Sequence, residues 1–310
     1  MDPELAAGSV LMRRVDLTDI RAARSMIALE HSLHEPLDPP TVADVRTVEV
    51  LIPSRDGRRS IAVRLYRRVG SKAVRVPALI FVHGGAFMTG DLDTEHDRCL
   101  RYAHDVGCLV VSVDYRLAPE HPFPAGTEDC FDALMWTVEN DENLGIDRSR
   151  VGVGGCSAGG ALAAVTALRA RDTGGPVIAL QLLVYPVIDD TASTTSALEY
   201  TDTPGWDSRN NAVMWSAYLA GSPATAYAAP ARAEDLSGLP PTFVLTAHYD
   251  PLRDEALNYA RRLLDAGVVT EIHQLAGTFH GFDGAIPGAA VSQRSLDAQS
   301  NFLLRYLRPR

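Results

Sequence analysis

The chain has 310 residues, 46% of them hydrophobic and 22% charged, a composition that supports a sizeable buried core and excludes a disordered or fibrous protein. Its formal charge of −10, from 29 basic and 39 acidic side chains, argues against a surface made for phosphate backbones, so nucleic acid is not an expected partner. The opening MDPELAAGSVLMRR has no apolar run behind a basic start, and no stretch elsewhere reaches the length of a membrane span, so the expected setting is cytoplasmic and away from membranes.

Residues 1–45 show apolar positions at helical spacing (Leu11, Val15, Ile20, Ala23, Met26, Ile27, Leu33), ending at the cluster Pro36, Pro39 and Pro40. His31, His34 and Glu35 have the spacing of metal ligands on a helix face, but without a third matched ligand they read as a solvated helix end. Two alternating segments follow, 45–52 and 60–67, separated by PSRDGRR, which predicts an antiparallel hairpin. The texture then changes: 77–84, 108–115, 151–157 and 177–186 are near-continuous apolar runs, the mark of strands covered on both faces. Segments 242–249 and 270–277 complete the strands, and helical stretches at 125–140, 158–171, 253–266 and 291–307 alternate with them.

The expected fold is therefore α/β, an open, mostly parallel eight-stranded sheet with an antiparallel start and helices on both faces, its ligand site at the carboxyl ends of the strands. Residues 189–225 interrupt the rhythm with a long polar insertion carrying one short helix around Asn210–Leu219, and a long insertion of this kind is often a lid. The expected organisation is a core of 46–188 and 226–310, with 1–45 and 189–225 outside it. The cysteines Cys99, Cys108, Cys130 and Cys156 form no C-x-x-C pair and read as reduced thiols.

Between strand 151–154 and the alanine-rich helix 158–171 runs Gly155-Cys156-Ser157-Ala158-Gly159, a Gly-x-Ser-x-Gly pattern. Small residues around the serine let a strand turn sharply into a helix, which holds the Ser157 hydroxyl in the open with the positive end of the helix dipole facing a developing alkoxide. Taken alone, the five residues equally describe a glycine-rich turn that binds phosphate or simply packs tightly.

A serine hydroxyl needs a base to take its proton, and the base needs a carboxylate to fix its tautomer. Asp250, directly after strand 242–249, stands where the chain order serine, acid, histidine calls for the acid. It also reads as a helix N-cap ahead of Pro251, while Asp254 and Glu255 read as surface charges complementing the helix dipole. Of nine histidines, His248 and His273 fall in or near a strand and suit packing roles. His280 follows the last strand between Gly277 and Gly281, which free the loop to swing its imidazole towards Ser157. With an imidazole as base, the rate is expected to climb through neutrality. His83-Gly84-Gly85-Ala86-Phe87 follows strand 77–82, where such a fold supplies amides for an oxyanion. The expected donors are the amides of Gly84, Gly85 and Ala158, with His83 pinning the loop.

Together HGGAF (83–87), DYRLAPEHPFPA (114–125), GCSAGG (155–160), DPLRDE (250–255) and HGF (280–282) resemble the hormone-sensitive-lipase-like branch of the α/β-hydrolases, the bacterial family IV esterases. The resemblance implies a cap made from the N-terminal helices and the 189–225 insertion, and carboxylic-ester hydrolysis through an acyl-enzyme. It implies Ser157 as nucleophile, Asp250 as acid and His280 as base, and a homodimer formed through residues 270–307. The chain departs from it at Cys156, where most relatives carry aspartate, which removes a buried acceptor beside the nucleophile. Ala86 replaces a third glycine but keeps its amide.

The expected function is thus hydrolysis of small-molecule, short-acyl esters, with no metal or cofactor required. Phe87, Met88, Leu198, Trp206 and Trp215 are candidates for the substrate pocket, or else pack the cap onto the core. Two other classes stay open: hydrolysis of an amide, carbamate or lactone by the same groups, and a non-catalytic ligand-binding protein on the same fold.

Overall fold

The computed structural model describes residues 1–10, 12, 14–33, 44–70 and 75–308. Its sheet follows from the two textures of strand read in the sequence. Strands β1 (Val45–Pro53) and β2 (Ser60–Arg68) form the antiparallel hairpin, and β1, at the sheet edge, is mostly exposed. β3 (Val76–Val82), β4 (Leu109–Asp114), β5 (Ile146–Cys156), β6 (Gln181–Val184), β7 (Thr242–Tyr249) and β8 (Thr270–Phe279) follow. The spatial order is β1-β2-β4-β3-β5-β6-β7-β8, with β2 antiparallel to β4 and every later pairing parallel. The eight-stranded, mostly parallel sheet with an antiparallel start is the expected one.

Among the described residues the helices are α1 (Pro3–Ser9), α2 (Ile20–Leu33), α3 (His96–Val106), α4 (Ala125–Glu139), α5 (Asp141–Leu144), α6 (Ala158–Asp172), α7 (Thr195–Glu199), α8 (Ser208–Leu219), α9 (Arg253–Asp265), α10 (Phe282–Ala285) and α11 (Ala290–Leu307). Strand side chains alternate between two cores, as the pleat requires. On β3, Ala78, Ile80 and Val82 enter a core with α4, α6 and α9, whereas Leu79 and Phe81 enter one with α3 and α11. Both faces are covered, so the central strands are apolar throughout.

Several local readings change. The insertion carries two helices, α7 and α8, where one was expected, and the apolar run 177–186 is a strand only over β6. The N-terminal helical stretch is two helices, because Asp2 caps Glu4 at 3.0 Å ahead of α1, and the side chains of Asp16 and Asp19 form turns to Thr18 and Ala22 that start α2 afresh. Val15 therefore lies between helices, while Leu11, His34, Glu35 and the prolines Pro36, Pro39 and Pro40 fall outside the described residues, as does the side chain of His31. Helix α3, between β3 and β4, was not expected from the sequence; its buried face consists of Arg98, Cys99, Leu100, Tyr102 and Ala103 among polar neighbours. No helix among the described residues is long and apolar enough to cross a membrane.

The N-terminal segment and the insertion meet over the carboxyl ends of the strands. The Asn210 side chain on α8 accepts from the Leu17 amide at 3.2 Å and donates to the Val15 carbonyl at 2.9 Å. Arg24 on α2 reaches the carbonyls of Met88 and Ala118 and pairs with Glu120 at 2.7 Å. Leu17, Ala23, Trp206, Met214 and Trp215 then belong to the same core as β3 and α6.

Candidate active site

Strand β5 ends at Cys156 and α6 begins at Ala158, leaving Ser157 alone on the corner with φ 55° and ψ −119°. A non-glycine residue at positive φ is strained, and here the surroundings hold it. The Ser157 amide donates to the Val184 carbonyl at 2.9 Å, and its carbonyl accepts from Val187 at 3.1 Å. The flanking glycines are demanded by space: a Cβ on Gly155 would sit 2.3 Å from the Gly159 carbonyl oxygen, and one on Gly159 would sit 2.1 Å from that of Val82. The motif is therefore a sharp strand-to-helix corner with the hydroxyl in front of a helix N-terminus.

Strands β7 and β8 run parallel beside β6, so their carboxyl ends lie on the same rim as the corner. His280 directly follows β8, and its Nε2 is 3.0 Å from the Ser157 hydroxyl while its Nδ1 is 2.8 Å from Oδ2 of Asp250. Asp250 is sealed from solvent and His280 nearly so. With Nδ1–H donating to Asp250, Nε2 presents its lone pair to the serine hydroxyl. The other oxygen of Asp250 accepts from the Leu252 amide at 2.9 Å. The N-cap reading is thus amended: α9 starts at Arg253, and Asp250 braces the turn before it with one oxygen and the imidazole with the other.

The two acids read as surface charges are instead anchors. Glu255 is buried and accepts from the amides of Ile188 and Asp189 at 2.7 and 3.2 Å, and Asp254 accepts from Ser196 at 2.8 Å. Both tie α9 to the start of the insertion, a tertiary contact that first-turn position on a helix does not reveal. Burial pushes the Glu255 carboxyl well above the ordinary range, despite the two amides that favour its charged form.

His83, His248 and His273 hold other contacts. His83 is buried, stacked on Tyr115 with centroids 4.4 Å apart, its Nδ1 2.7 Å from the Gly84 carbonyl. His273 pairs with Glu271 at 2.8 Å, and His248 accepts from the Gly277 amide at 3.2 Å. In the loop after β3, the Gly85 carbonyl accepts from Met88 at 3.0 Å and from both the amide and the hydroxyl of Thr89, at 2.8 and 3.0 Å. That leaves the loop rigid beside Ser157. Ala158 is the first residue of α6, where backbone N–H groups have no acceptor within the helix.

Gly84, Gly85, Ala86, Ser157 and His280 open onto one cavity of about 980 Å³. Of the five expected pocket residues, Trp206 lines it. Phe87, Met88 and Trp215 are instead buried core, with Phe87 stacked on Tyr218 at 3.9 Å and 5.9 Å from Trp215, so Phe87 packs α8 against the loop after β3. Leu198 is 69% exposed on α7 and faces solvent. The apolar wall comes from Met12, Val15, Leu17, Ile27 and Ile286, residues whose helix-like or loop-like sequence context gave no hint of a pocket.

Behind the imidazole lies a buried polar cluster that the sequence reading missed. Asp283, three residues after His280, accepts from Arg98 at 3.1 Å, Tyr185 at 2.9 Å, Ser295 at 2.9 Å and Gln299 at 3.0 Å. Burial raises the Asp283 carboxyl, but Arg98 and these donors outweigh it and hold the group below its ordinary range. The Tyr185 ring stands edge-on to His280 at 4.7 Å. Cys156 is buried beside Arg98 and Tyr185, and burial pushes its thiol well up, so it stays protonated. Arg98 is paired both with Asp283 and with Glu95, the latter at 2.8 Å.

Residues 79–284 match the family model described as the alpha/beta hydrolase fold. The chain is 38% identical over 298 residues to esterase LipI of Mycobacterium tuberculosis, covering 93% of this chain and 92% of that protein. It is 42% identical over 265 residues to carboxylesterase NlhH of the same species, covering 81% of each. Among solved structures it superposes on a bacterial heroin esterase with a TM-score of 0.95 and 41% identity, over all of this chain and 98% of that one. The motif set, the sheet order and these similarities agree: the chain belongs to the α/β-hydrolase family, in its hormone-sensitive-lipase-like branch of bacterial esterases.

Proposed function

We propose that this protein is a serine carboxylesterase that hydrolyses short-acyl esters through an acyl-enzyme, with Ser157 as nucleophile, His280 as base and Asp250 as its orienting acid. The observation that carries the reading is the pair of contacts made by one imidazole, 3.0 Å to Ser157 and 2.8 Å to Asp250. Nε2 takes the hydroxyl proton as Ser157 Oγ bonds to the ester carbonyl carbon, and Asp250 stabilises the imidazolium without itself taking the proton. The oxyanion is held by the amides of Gly84, Gly85 and Ala158, each worth on the order of 3 kcal/mol. The carbon–oxygen bond to the alcohol then breaks, and the alcohol leaves with the proton from Nε2. Water repeats the sequence on the acyl-enzyme and releases the acid.

The N-terminal segment and the 189–225 insertion form the cap of this site, because they share its core and supply the walls of its cavity. At about 980 Å³ the cavity stands at the upper end for small-molecule sites and exceeds what a short acyl group needs. The alcohol part of the ester can therefore be bulky, as the name of the heroin esterase implies for that protein's substrate.

The test is turnover of p-nitrophenyl acetate and butyrate by the wild type and Ser157→Ala, with mass spectrometry locating the adduct of an organophosphate. Loss of turnover in the variant, with the adduct on Ser157, supports the reading. Equal rates in the two proteins, or an adduct elsewhere, would reject it. Absence of any turnover across ester, amide, carbamate and lactone panels would leave a ligand-binding protein.

A further inference from the structure

The insertion touches the proposed base directly. Gly205 lies in the turn before α8 with φ 76°, and a Cβ placed on it would lie 2.0 Å from the carbonyl oxygen of His280 and 3.3 Å from the Phe279 ring. The next residue, Trp206, tilts its indole against the imidazole with centroids 6.3 Å apart. This turn is itself locked. The Thr203 hydroxyl donates to the Trp206 carbonyl at 2.6 Å, the Trp206 amide donates to the Pro204 carbonyl at 2.9 Å, and the indole N–H donates to Oδ1 of Asn211 at 2.7 Å. Asn211 is buried on α8 next to Asn210, which holds the N-terminal segment through Val15 and Leu17.

His280 needs such a brace. It is followed by Gly281 at φ 75°, so the chain on its far side resists rotation weakly, and the imidazole is held against Ser157 and Asp250 by one hydrogen bond each. Tyr185 stands edge-on to the ring, and backbone meets backbone at Gly205. We propose that the turn Thr203–Trp206, seated by Asn211, is the positioning element for His280: Gly205 sets the height of the histidine backbone and Trp206 sets the tilt of its ring. The insertion thus does more than wall the cavity. Docking of the cap, through Asn210 and Asn211 on one helix, and alignment of the base become a single event. The inference rests on the role proposed above for His280.

A methyl group on Gly205 must displace the His280 carbonyl by about 1 Å to reach an ordinary contact, and a misplacement of that size costs about a hundredfold in rate. The experiment compares wild type with Gly205→Ala, counting active sites by organophosphate titration so that unfolded protein is discounted. The expected result is kcat on p-nitrophenyl butyrate about a hundredfold lower per titrated site, with KM changed by less than about threefold. Should Gly205→Ala not fold, Asn211→Leu serves. It removes the indole acceptor without lining the cavity, and its kcat should fall about fivefold, the worth of one hydrogen bond, at constant KM. The low-field proton resonance of the His280 Nδ1–H bonded to Asp250, recorded without substrate, should shift or broaden in either variant. An unchanged kcat per site together with an unchanged resonance would overturn the proposal. If the wild type turns over no ester at all, the functional reading fails, and the resonance alone still decides whether this turn positions the histidine.

Discussion

The guanidinium of Arg98 meets the carboxylate of Asp283 at 3.1 Å with both side chains buried, one from helix α3 and the other three residues beyond His280. The pair joins α3 to α10, and Tyr185, which donates to the same carboxylate at 2.9 Å, stands edge-on to the His280 ring. Removing one member of a buried pair costs about 3–5 kcal/mol where it strands the other; Arg98 keeps Glu95 at 2.8 Å, which places the expected cost at the lower end, about 3 kcal/mol. Asp283→Asn is therefore expected to lower the unfolding free energy by that much, read as a lower urea midpoint at the same m-value. Asp283 is held below its ordinary range when folded, so its stabilisation is present above the unfolded pKa and is lost as pH falls through the folded one. The wild type should lose stability steeply on the acid side and Asp283→Asn less so; parallel acid-unfolding curves would contradict this.

Glu255 carries the opposite sign. Its carboxyl is raised when folded, so its favourable contribution is present below the ordinary glutamate pKa of about 4.3 and declines as pH rises towards the folded value. Oε1 holds the amides of Ile188 and Asp189, while Oε2 has no hydrogen-bond partner among the described residues. Glu255→Gln keeps the acceptor and cannot ionise. Its melting temperature should gain on the wild type as pH goes from 5 to 8, and a difference that shrinks over that range would show the sign to be wrong.

For Asp250→Asn, kcat is expected to fall on the order of 10⁴-fold, because an amide in place of Oδ2 no longer fixes the tautomer that offers Nε2 to Ser157. The Leu252 contact at Oδ1 can survive in the variant, so its unfolding curve should move much less than its rate. Steady-state kinetics alongside urea titration separate the two effects.

The candidate pocket residues should divide by where they pack. Phe87 is buried against Tyr218 and Trp215, so Phe87→Ala should cost about 3–5 kcal/mol of stability. Trp206→Ala opens the cavity wall and should also change KM for esters of bulky alcohols. Leu198→Ala, at an exposed position, should change neither by a measurable amount. Melting curves and KM across an ester series distinguish these three results.

Much of the architecture was legible because its causes are local. Continuous apolar runs mark strands buried on both faces, alternation marks the edge hairpin, and a small-residue corner between strand and helix marks Ser157. The separation of Ser157, Asp250 and His280 along the chain was readable as well, since each follows a strand. What the sequence could not show is which side chains meet. Arg98 lies in a segment with the composition of a surface helix, and Glu255 in a first turn where acids normally serve the dipole; their partners are 185 and 67 residues away in the chain. Burial of a charged group is decided by those partners, not by its neighbours in sequence. The same reason separates Trp206 from Phe87 and Trp215. All are large and apolar near the site, and only the packing of α8 against the loop after β3 determines which of them faces the cavity and which face one another. The sequence by itself determined the strands and the residue types that follow them; the tertiary structure decided their bounds and the contacts, because parallel strands bring distant ends onto one rim, where the N-terminal segment and the insertion select among the side chains they meet.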